Sequence, residues 1–428
     1  MTKKHSLAVI LKDYPYKKGE VFFQSELIAL SSSFKEVYLF SRHLIKSEES
    51  LHFGIPSNVQ LVNLCSTQTV KSKLIAVIQT LTTGKWRDVI RDLKTNGLSI
   101  EWKKLKIILA YEDERIRMFE SLQITCKKLE RPLNSFIWYS YWCDESAYLL
   151  ARLRQTGHID FAICRTHNFD IYTERHPYGY LPYRRFIVEH LNEILCISSH
   201  GQCYLQTRYP DFKEKFTLQR LGVENQSISL LKTLNPLVII TISNIHPVKN
   251  LEAVIEALEK WTSQTIEWHH FGDGNDSDYV AKIERQTFEC LSKNPKVKCK
   301  FWGFVAPEFV LDQIRQLNPT VLVNSSHFEG IPVSMMEACS LGIPVIGPLI
   351  YGVPEIVKDG VNGFTFYPVN ADSLRQAIAK MTGLTESTYA EMRLNARAIQ
   401  QAEFNAERNH LKFASHVRQI SNESSANC

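Results

Sequence analysis

No stretch of the 428-residue sequence holds the roughly 18 consecutive apolar residues that a membrane-crossing helix needs. Near the start, Ser6-Leu-Ala-Val-Ile-Leu11 breaks at Lys12-Asp13 after a strand's length, so neither a membrane span nor a secretion signal is expected there. The ten cysteines form no Cys-x-x-Cys pair and no group with His at zinc spacing. Most sit in apolar runs, which points to buried, reduced thiols in a reducing compartment. Glycine (18) and proline (16) are too few for a fibrous or low-complexity chain. There is no clear internal repeat and no RNA- or DNA-binding signature, and a net charge of +5 is small for this length, so nucleic acid is not an expected partner.

What is present is an ordinary globular composition, 44% hydrophobic and 22% charged, long enough for two domains of about 200 residues each. The positive excess is concentrated. Lys71 to Arg131 holds fourteen Lys/Arg against eight Asp/Glu, including Lys85-Trp86-Arg87 and Trp102-Lys103-Lys104-Leu105-Lys106. Cations interleaved with aromatic and aliphatic residues fit either a face lying on anionic lipid or a solvated helix with snorkelling lysines.

The second half alternates strands and helices in units of 25 to 30 residues. Apolar strands are expected at Val238–Ser243, Trp268–Phe271, Val297–Trp302, Val321–Asn324 and Pro344–Gly347. Helices are expected at Asn250–Trp261, Asp278–Leu291, Pro307–Leu317 and Val333–Leu341. Continuously apolar strands between helices indicate a parallel sheet covered on both faces, a doubly wound α/β domain. The first half repeats the theme less cleanly, with strands expected at Leu7–Leu11, Glu36–Phe40, Ser135–Tyr139, Asp160–Cys164, Glu193–Ser198 and Phe216–Leu221. A mostly helical insertion is expected over about 66–130. The domain boundary is expected at the polar linker Val223-Glu-Asn-Gln-Ser227, giving domains 1–225 and 226–400.

Two such domains joined by one linker face each other across a cleft at the carboxyl ends of their strands, where open sheets bind ligands. One segment there stands out. Ser325-Ser-His-Phe-Glu329-Gly330-Ile331-Pro332-Val333 takes a strand through a Gly/Pro turn into a helix. The backbone amides of about Gly330 to Ser334 are therefore unpaired at the helix's positive end, a ready phosphate or diphosphate site. Glu337 lies one turn into that helix and can reach a sugar diol, and Glu329 points into the cleft. Lys249, in Pro247-Val-Lys249-Asn250 after the first strand of this domain, places a cation at another strand-to-helix turn, suited to a leaving diphosphate. Taken alone, the same residues also describe a plain strand-to-helix turn with two exposed glutamates.

The spacing Glu329-x7-Glu337 in F-E-G-I-P-V-S-M-M-E-A, followed by G-I-P-V-I-G and G-V-P-E-I-V-K-D-G-V-N-G-F, closely resembles the signature of retaining glycosyltransferases of family 4 with the GT-B fold, from Val238 to Phe366. The first half is more loosely similar to the members acting in bacterial surface-polysaccharide assembly, through Tyr14-Pro-Tyr-Lys-Lys-Gly19-Glu20, Tyr139-Ser-Tyr-Trp142 and Arg165-Thr-His167-Asn-Phe-Asp170-Ile-Tyr172. The resemblance implies an α/β GT-B architecture of two doubly wound Rossmann-like domains, with a helix over 401–428 returning to the first. It implies a donor that is a UDP- or GDP-sugar and an acceptor that is a polyprenyl-linked saccharide, with the enzyme at the inner face of the cell membrane.

Residue by residue, it implies that Glu337 binds the ribose, Glu329 a donor-sugar hydroxyl, and Lys249 the diphosphate. Gly330, Ile331, Pro332 and Val333 would line the sugar and phosphates, Gly19 would lie on the donor, and His167 beside the reacting sugar. The pattern has Arg five residues before the lysine, and this chain has Asn244. That leaves the second diphosphate cation to another residue, such as Arg165, or leaves a slow or inactive enzyme. No metal or resident cofactor is implied, and Asp273, Asp276 and Asp278 read as a strand-end turn. Two alternatives stay open: a catalytically silent sugar-nucleotide-binding subunit, for which Asn244 is the support, and a glycoside hydrolase using Glu329 and Glu337 as its carboxylates.

Overall fold

The computed structural model describes residues 6–17, 20–42, 54–64, 78, 85–99, 101–228 and 234–426. They form two compact units, residues 1–219 with 408–428, and residues 220–407.

The first unit is a seven-stranded parallel sheet in the order β3-β2-β1-β4-β5-β6-β7. Its strands are β1 (Ser6–Leu11), β2 (Val37–Ser41), β3 (Val59–Asn63), β4 (Phe136–Ser140), β5 (Ala162–Thr166), β6 (Glu193–Cys196) and β7 (Phe216–Leu218). β1, β2, β4 and β5 are buried at every residue, as a strand between two helical layers must be, which is why they read as apolar runs. The edge strand β3 escapes sequence reading because Gln60 and Asn63 interrupt it and most of it is not buried. The last expected strand is shorter than its apolar stretch, ending at Leu218. Within the expected insertion, the described residues form helices Lys85–Thr95 and Trp102–Lys128, and the rest of its first part lies outside the described residues.

Helix Ala406–Ala426 enters this unit's core. Phe413, Ala414 and Val417 pack with Leu7, Val9, Tyr139 and Ile163 on one face of the sheet. Fully burying a Phe or Val side chain is worth about 1.5–3 kcal/mol each.

The second unit is a six-stranded parallel sheet in the order β10-β9-β8-β11-β12-β13. Its strands are β8 (Leu237–Ile242), β9 (Ile266–Phe271), β10 (Val297–Phe301), β11 (Val321–Val323), β12 (Val345–Pro348) and β13 (Gly363–Phe366). In both sheets the chain winds outward from one central strand and then crosses to its other side, so strand order reverses between β1 and β4 and again between β8 and β11. Loops leaving such a pair diverge to opposite faces and open a crevice at the strands' carboxyl ends. Among the described residues, no helix is long and apolar enough to cross a membrane.

Candidate active site

The two turns that leave the reversal point of the second sheet are stitched together. After β8, a single 3₁₀ turn spans Pro247–Lys249, with proline at its first position and Asn250 in the left-handed region at φ 51°. After β11 the chain continues as Asn324-Ser-Ser. Asn250 Nδ2 donates to the Ser325 carbonyl at 3.2 Å, Ser325 Oγ donates to the Lys249 carbonyl at 2.8 Å, and the His327 amide donates to the Val248 carbonyl at 2.8 Å. The backbone positions of Lys249 and of the loop carrying Glu329 are thereby fixed relative to each other.

Their side chains meet. Lys249 Nζ lies 2.8 Å from Glu329 Oε1, which also accepts from Asn324 Nδ2 at 3.1 Å and from Ser326 Oγ at 2.6 Å. Glu329 is 7% exposed, and burial alone would push its carboxyl up, but the Lys249 ammonium and the two neutral donors hold it below the usual carboxylate range. All three donors converge on one oxygen. Oε2 has no donor among the described residues, so an aligned, ionised acceptor remains for a ligand hydroxyl. Asn324 and Ser326 were missed by sequence reasoning; the signal was the abrupt change from three apolar residues to Asn-Ser-Ser at a strand's carboxyl end.

Past Glu329 the chain reaches helix Val333–Ser340 through Gly330, Ile331 and Pro332, all buried. The amides of Gly330, Ile331, Val333 and Ser334 have no acceptor among the described residues, and at this end of a helix they carry partial positive charge. Glu337, on the same helix, has no hydrogen-bond or ion-pair partner among the described residues, and burial pushes its carboxyl up to about 7. A half-buried carboxyl without a donor is held away from its ordinary range, and groups so perturbed concentrate at functional sites.

Other motif residues have structural work. Gly272, at φ 136°, lies so close to the turn after β8 that a Cβ would fall 1.9 Å from the Ser243 carbonyl oxygen. Asp276 caps helix Ser277–Leu291 by accepting from the amides of Asp278 and Tyr279, and Asp273 accepts from the Gly274 amide. In Gly360-Val-Asn-Gly363, the fully buried Asn362 accepts from the Lys358 amide at 2.7 Å and donates to the Ile356 carbonyl at 2.9 Å, closing its own loop. Glu355 pairs with Arg220. Asn244 is exposed in the turn after β8.

In the first unit, His167 follows β5. Its ring lies against Trp142 (centroids 4.2 Å apart) and Tyr141 (4.8 Å), and Nδ1 is 3.7 Å from Asp170 Oδ2. Asp170 fixes the loop by accepting from the His167 amide at 2.7 Å and the Cys143 amide at 3.0 Å. Although burial opposes it, these bonds and the imidazole hold the Asp170 carboxyl below its usual range. Both ring nitrogens of His167 are buried and lack hydrogen-bond partners among the described residues.

Arg165 cannot supply the second diphosphate cation. It is wholly buried, pairs with Glu26 at 3.1 Å, donates to Tyr139 Oη at 2.8 Å and to the Gln219 carbonyl at 3.1 Å, and lies over the Phe413 ring. Gly19 lies outside the described residues. Its neighbour Glu20 is a residue that sequence reasoning missed. Buried, it accepts from the amides of Lys12, Asp13 and Tyr14 and from Trp142 Nε1 at 2.5 Å, tying the turn after β1 to the turn after β4. No local pattern marks the link to the second turn, because Trp142 lies far along the chain from Glu20.

Part of the basic stretch is spent internally. Lys104 is buried and pairs with Glu101 at 2.8 Å, Arg115 and Arg117 pair along their own helix, and Arg131 pairs with Glu36. Lys103 and Lys106 remain exposed.

Comparison with known proteins agrees with this geometry. Residues 223–399 match the family described as glycosyl transferases group 1. The chain is 26% identical over 291 residues (66% of this chain, 70% of the relative) to a protein of Escherichia coli K12 named as the colanic acid biosynthesis glycosyltransferase WcaL. It is 27% identical over 202 residues (45% and 48%) to the amylovoran biosynthesis glycosyltransferase AmsK of Erwinia amylovora. Among solved structures, sucrose-phosphate synthase of Thermosynechococcus elongatus superposes with a TM-score of 0.72 at 15% identity, covering 97% of this chain and 99% of that one. HepE of Anabaena in complex with UDP and glucose superposes at 0.64 and 17% identity, covering 97% and 100%. The fold is the two-domain GT-B fold of these neighbours, and the second unit carries a glycosyl transferases group 1 domain.

Proposed function

We propose that this protein is an anomer-retaining glycosyltransferase that moves a sugar from a UDP- or GDP-sugar to a saccharide acceptor, polyprenyl-linked, in exopolysaccharide biosynthesis. The observation that carries the reading is the Glu329–Lys249 pair on two turns of one sheet, beside helix-terminal amides and a Glu337 carboxyl, on the helix that follows, that have no partner among the described residues. Glu337 accepts from the ribose hydroxyls, and Glu329 Oε2 accepts from a hydroxyl of the donor sugar. Lys249 and the amides from Gly330 to Ser334 face the diphosphate and stabilise the charge that grows on it as the glycosidic bond breaks. His167 serves the acceptor side of the reaction. The names of WcaL and AmsK support a role in surface-polysaccharide assembly, and HepE supports a uridine diphosphate donor.

The scheme needs neither metal nor resident cofactor, because lysine and amides do the work of a cation. Exposed Lys103 and Lys106 are the groups available for reversible contact with anionic lipid at the inner membrane face, which would bring the enzyme to its acceptor. The test is nucleoside diphosphate release across UDP-, GDP- and ADP-sugars, with binding of the free nucleoside diphosphates followed by calorimetry. Release with one donor class is expected. Failure of every nucleoside diphosphate to bind would overturn the reading.

A further inference from the structure

The first unit carries several rings that are exposed in whole or in part. They begin beside His167, where Trp142 is half-buried and lies 5.0 Å, ring to ring, from Phe169, which is 38% exposed. The Phe169 carbonyl is hydrogen-bonded to His176 Nε2, and two residues on Tyr178 stands 46% exposed at φ 68°. Lys103 Nζ lies 5.3 Å from the Tyr178 ring centre and Lys106 Nζ 5.9 Å from that of Trp102, which is 66% exposed. Exposed large apolar rings grouped on one unit mark a candidate binding surface.

The first of these rings is also held in place. Trp142 follows β4, at the strand-order reversal of the first sheet, and its indole N–H is fixed by Glu20, which the three amides of Lys12, Asp13 and Tyr14 hold in turn. That is the position where a doubly wound sheet receives a ligand. A sugar ring presents a face of weakly positive C–H groups, which matches the negative face of an aromatic ring. The two ammonium groups at the far end match an anion. The carboxylate beside them, Glu101, is occupied by Lys104 at 2.8 Å and Ser99 at 2.8 Å.

We infer that Trp142, Phe169, Tyr178, Lys103, Lys106 and Trp102 form a track for a phosphate-bearing saccharide, with pyranose rings on Trp142 and Phe169 and the phosphate end at Lys103 and Lys106. The inference rests on the glycosyltransferase reading and names the acceptor chemistry for it. The phosphate could belong to a lipid-linked diphosphate or to a free sugar phosphate, and both present the same group.

The test uses the full chain and calorimetric binding of octyl diphosphate hexosides of glucose, galactose and N-acetylglucosamine, with the hexose 1-phosphates, the neutral octyl hexosides and sugar-free octyl diphosphate as companions. At least one octyl diphosphate hexoside is expected to bind. Phe169→Ala and Trp142→Ala should each weaken it tenfold or more, Trp142→Phe less. Replacing Lys103 and Lys106 with Gln should weaken the diphosphate compound about fivefold and leave the neutral hexoside unchanged. Comparable binding of the hexose 1-phosphate supports the track with a free phosphate as source; its failure beside the octyl compound supports a lipid-linked one. UDP or GDP affinity should stay constant in every variant that keeps the wild-type melting temperature. Loss of nucleotide binding in the wild type would overturn the donor reading instead. Saccharide binding that survives Phe169→Ala and Trp142→Phe unchanged would overturn the track, as would sugar-free octyl diphosphate, or phosphatidylglycerol vesicles alone, binding as tightly as the hexosides.

Discussion

The two units use one architecture and treat their charges in opposite ways. In the first, the charged groups near the sheet's carboxyl edge are spent: Arg165 on Glu26 and Tyr139, Asp170 on two amides, Glu20 on three amides and an indole. In the second, among the described residues, one Glu329 oxygen has no donor, the Glu337 carboxyl has no partner, and four amides have no acceptor. Internal neutralisation supports a rigid frame, whereas unmatched polarity is a cost to the fold that a charged ligand can offset.

The largest expected effect tests the first half of that contrast. Arg165→Ala strips the cation from a fully buried pair and leaves the Glu26 carboxylate with its Tyr139 hydrogen bond but no counter-ion, which should destabilise the first unit by about 3–5 kcal/mol. Urea unfolding would show it, with nucleotide affinity of the folded protein unchanged. A stability loss under 1 kcal/mol would mean that Arg165 is not a structural charge.

Glu337→Gln tests the second half and should act in the opposite sense on stability. It should weaken nucleoside diphosphate binding by about 1.5–3 kcal/mol, the range for losing a hydrogen bond to a charged group. The Glu337 carboxyl is raised to about 7 from an ordinary 4.5. The folded state therefore binds more protons, and this group's contribution is fully present below about 4.5 and lost as pH rises to about 7. The wild type should lose stability over that window, and Glu337→Gln should lose less and be the more stable protein at pH 8. Parallel pH–stability curves would remove Glu337 from the set of unmatched groups.

Lys249→Ala sharpens the comparison further, because it leaves Glu329 with only neutral donors. Turnover should fall about tenfold or more (~1.4 kcal/mol), with a smaller rise in the donor KM, since charge on the leaving diphosphate grows toward the transition state. An effect confined to KM would reassign Lys249 to ground-state binding. The smallest change is expected for Asn244→Arg, an added cation at an exposed position, which should tighten diphosphate binding by less than about 1 kcal/mol. No change in a salt titration would place the second positive contact elsewhere.

The same contrast explains what was legible in the sequence. The second unit's site is built from strand-turn-helix segments whose polarity changes within a few residues, as at Val323-Asn324 and Phe328-Glu329, so its parts can be read in order along the chain. Its central strands β8 and β11 are apolar on both faces, and the expected strand limits lie within about two residues of those observed at β8, β9, β10 and β11. The first unit's organisation depends on pairs such as Glu20–Trp142, Glu26–Arg165 and Ser25–His410, whose partners lie more than a hundred residues apart. Nothing in a local window distinguishes Arg165 committed to a buried carboxylate from Arg165 free to meet a diphosphate. Lys104 was misplaced for a related reason: it counts as one more cation in a basic run until the helix turns it inward onto Glu101.

Residues 408–428 belong to the first unit although the whole second unit precedes them in the chain. During synthesis, then, the first sheet emerges early but lacks Phe413, Ala414 and Val417 from its core and the Phe413 face from above Arg165. The second unit is a continuous segment and can fold as soon as it clears the ribosome, the usual order for domains made in sequence. The first unit waits until residues 408–428 have been made. A truncated or stalled chain would therefore hold a finished second unit and an open first one, and quality control would meet the exposed apolar face of the part made first.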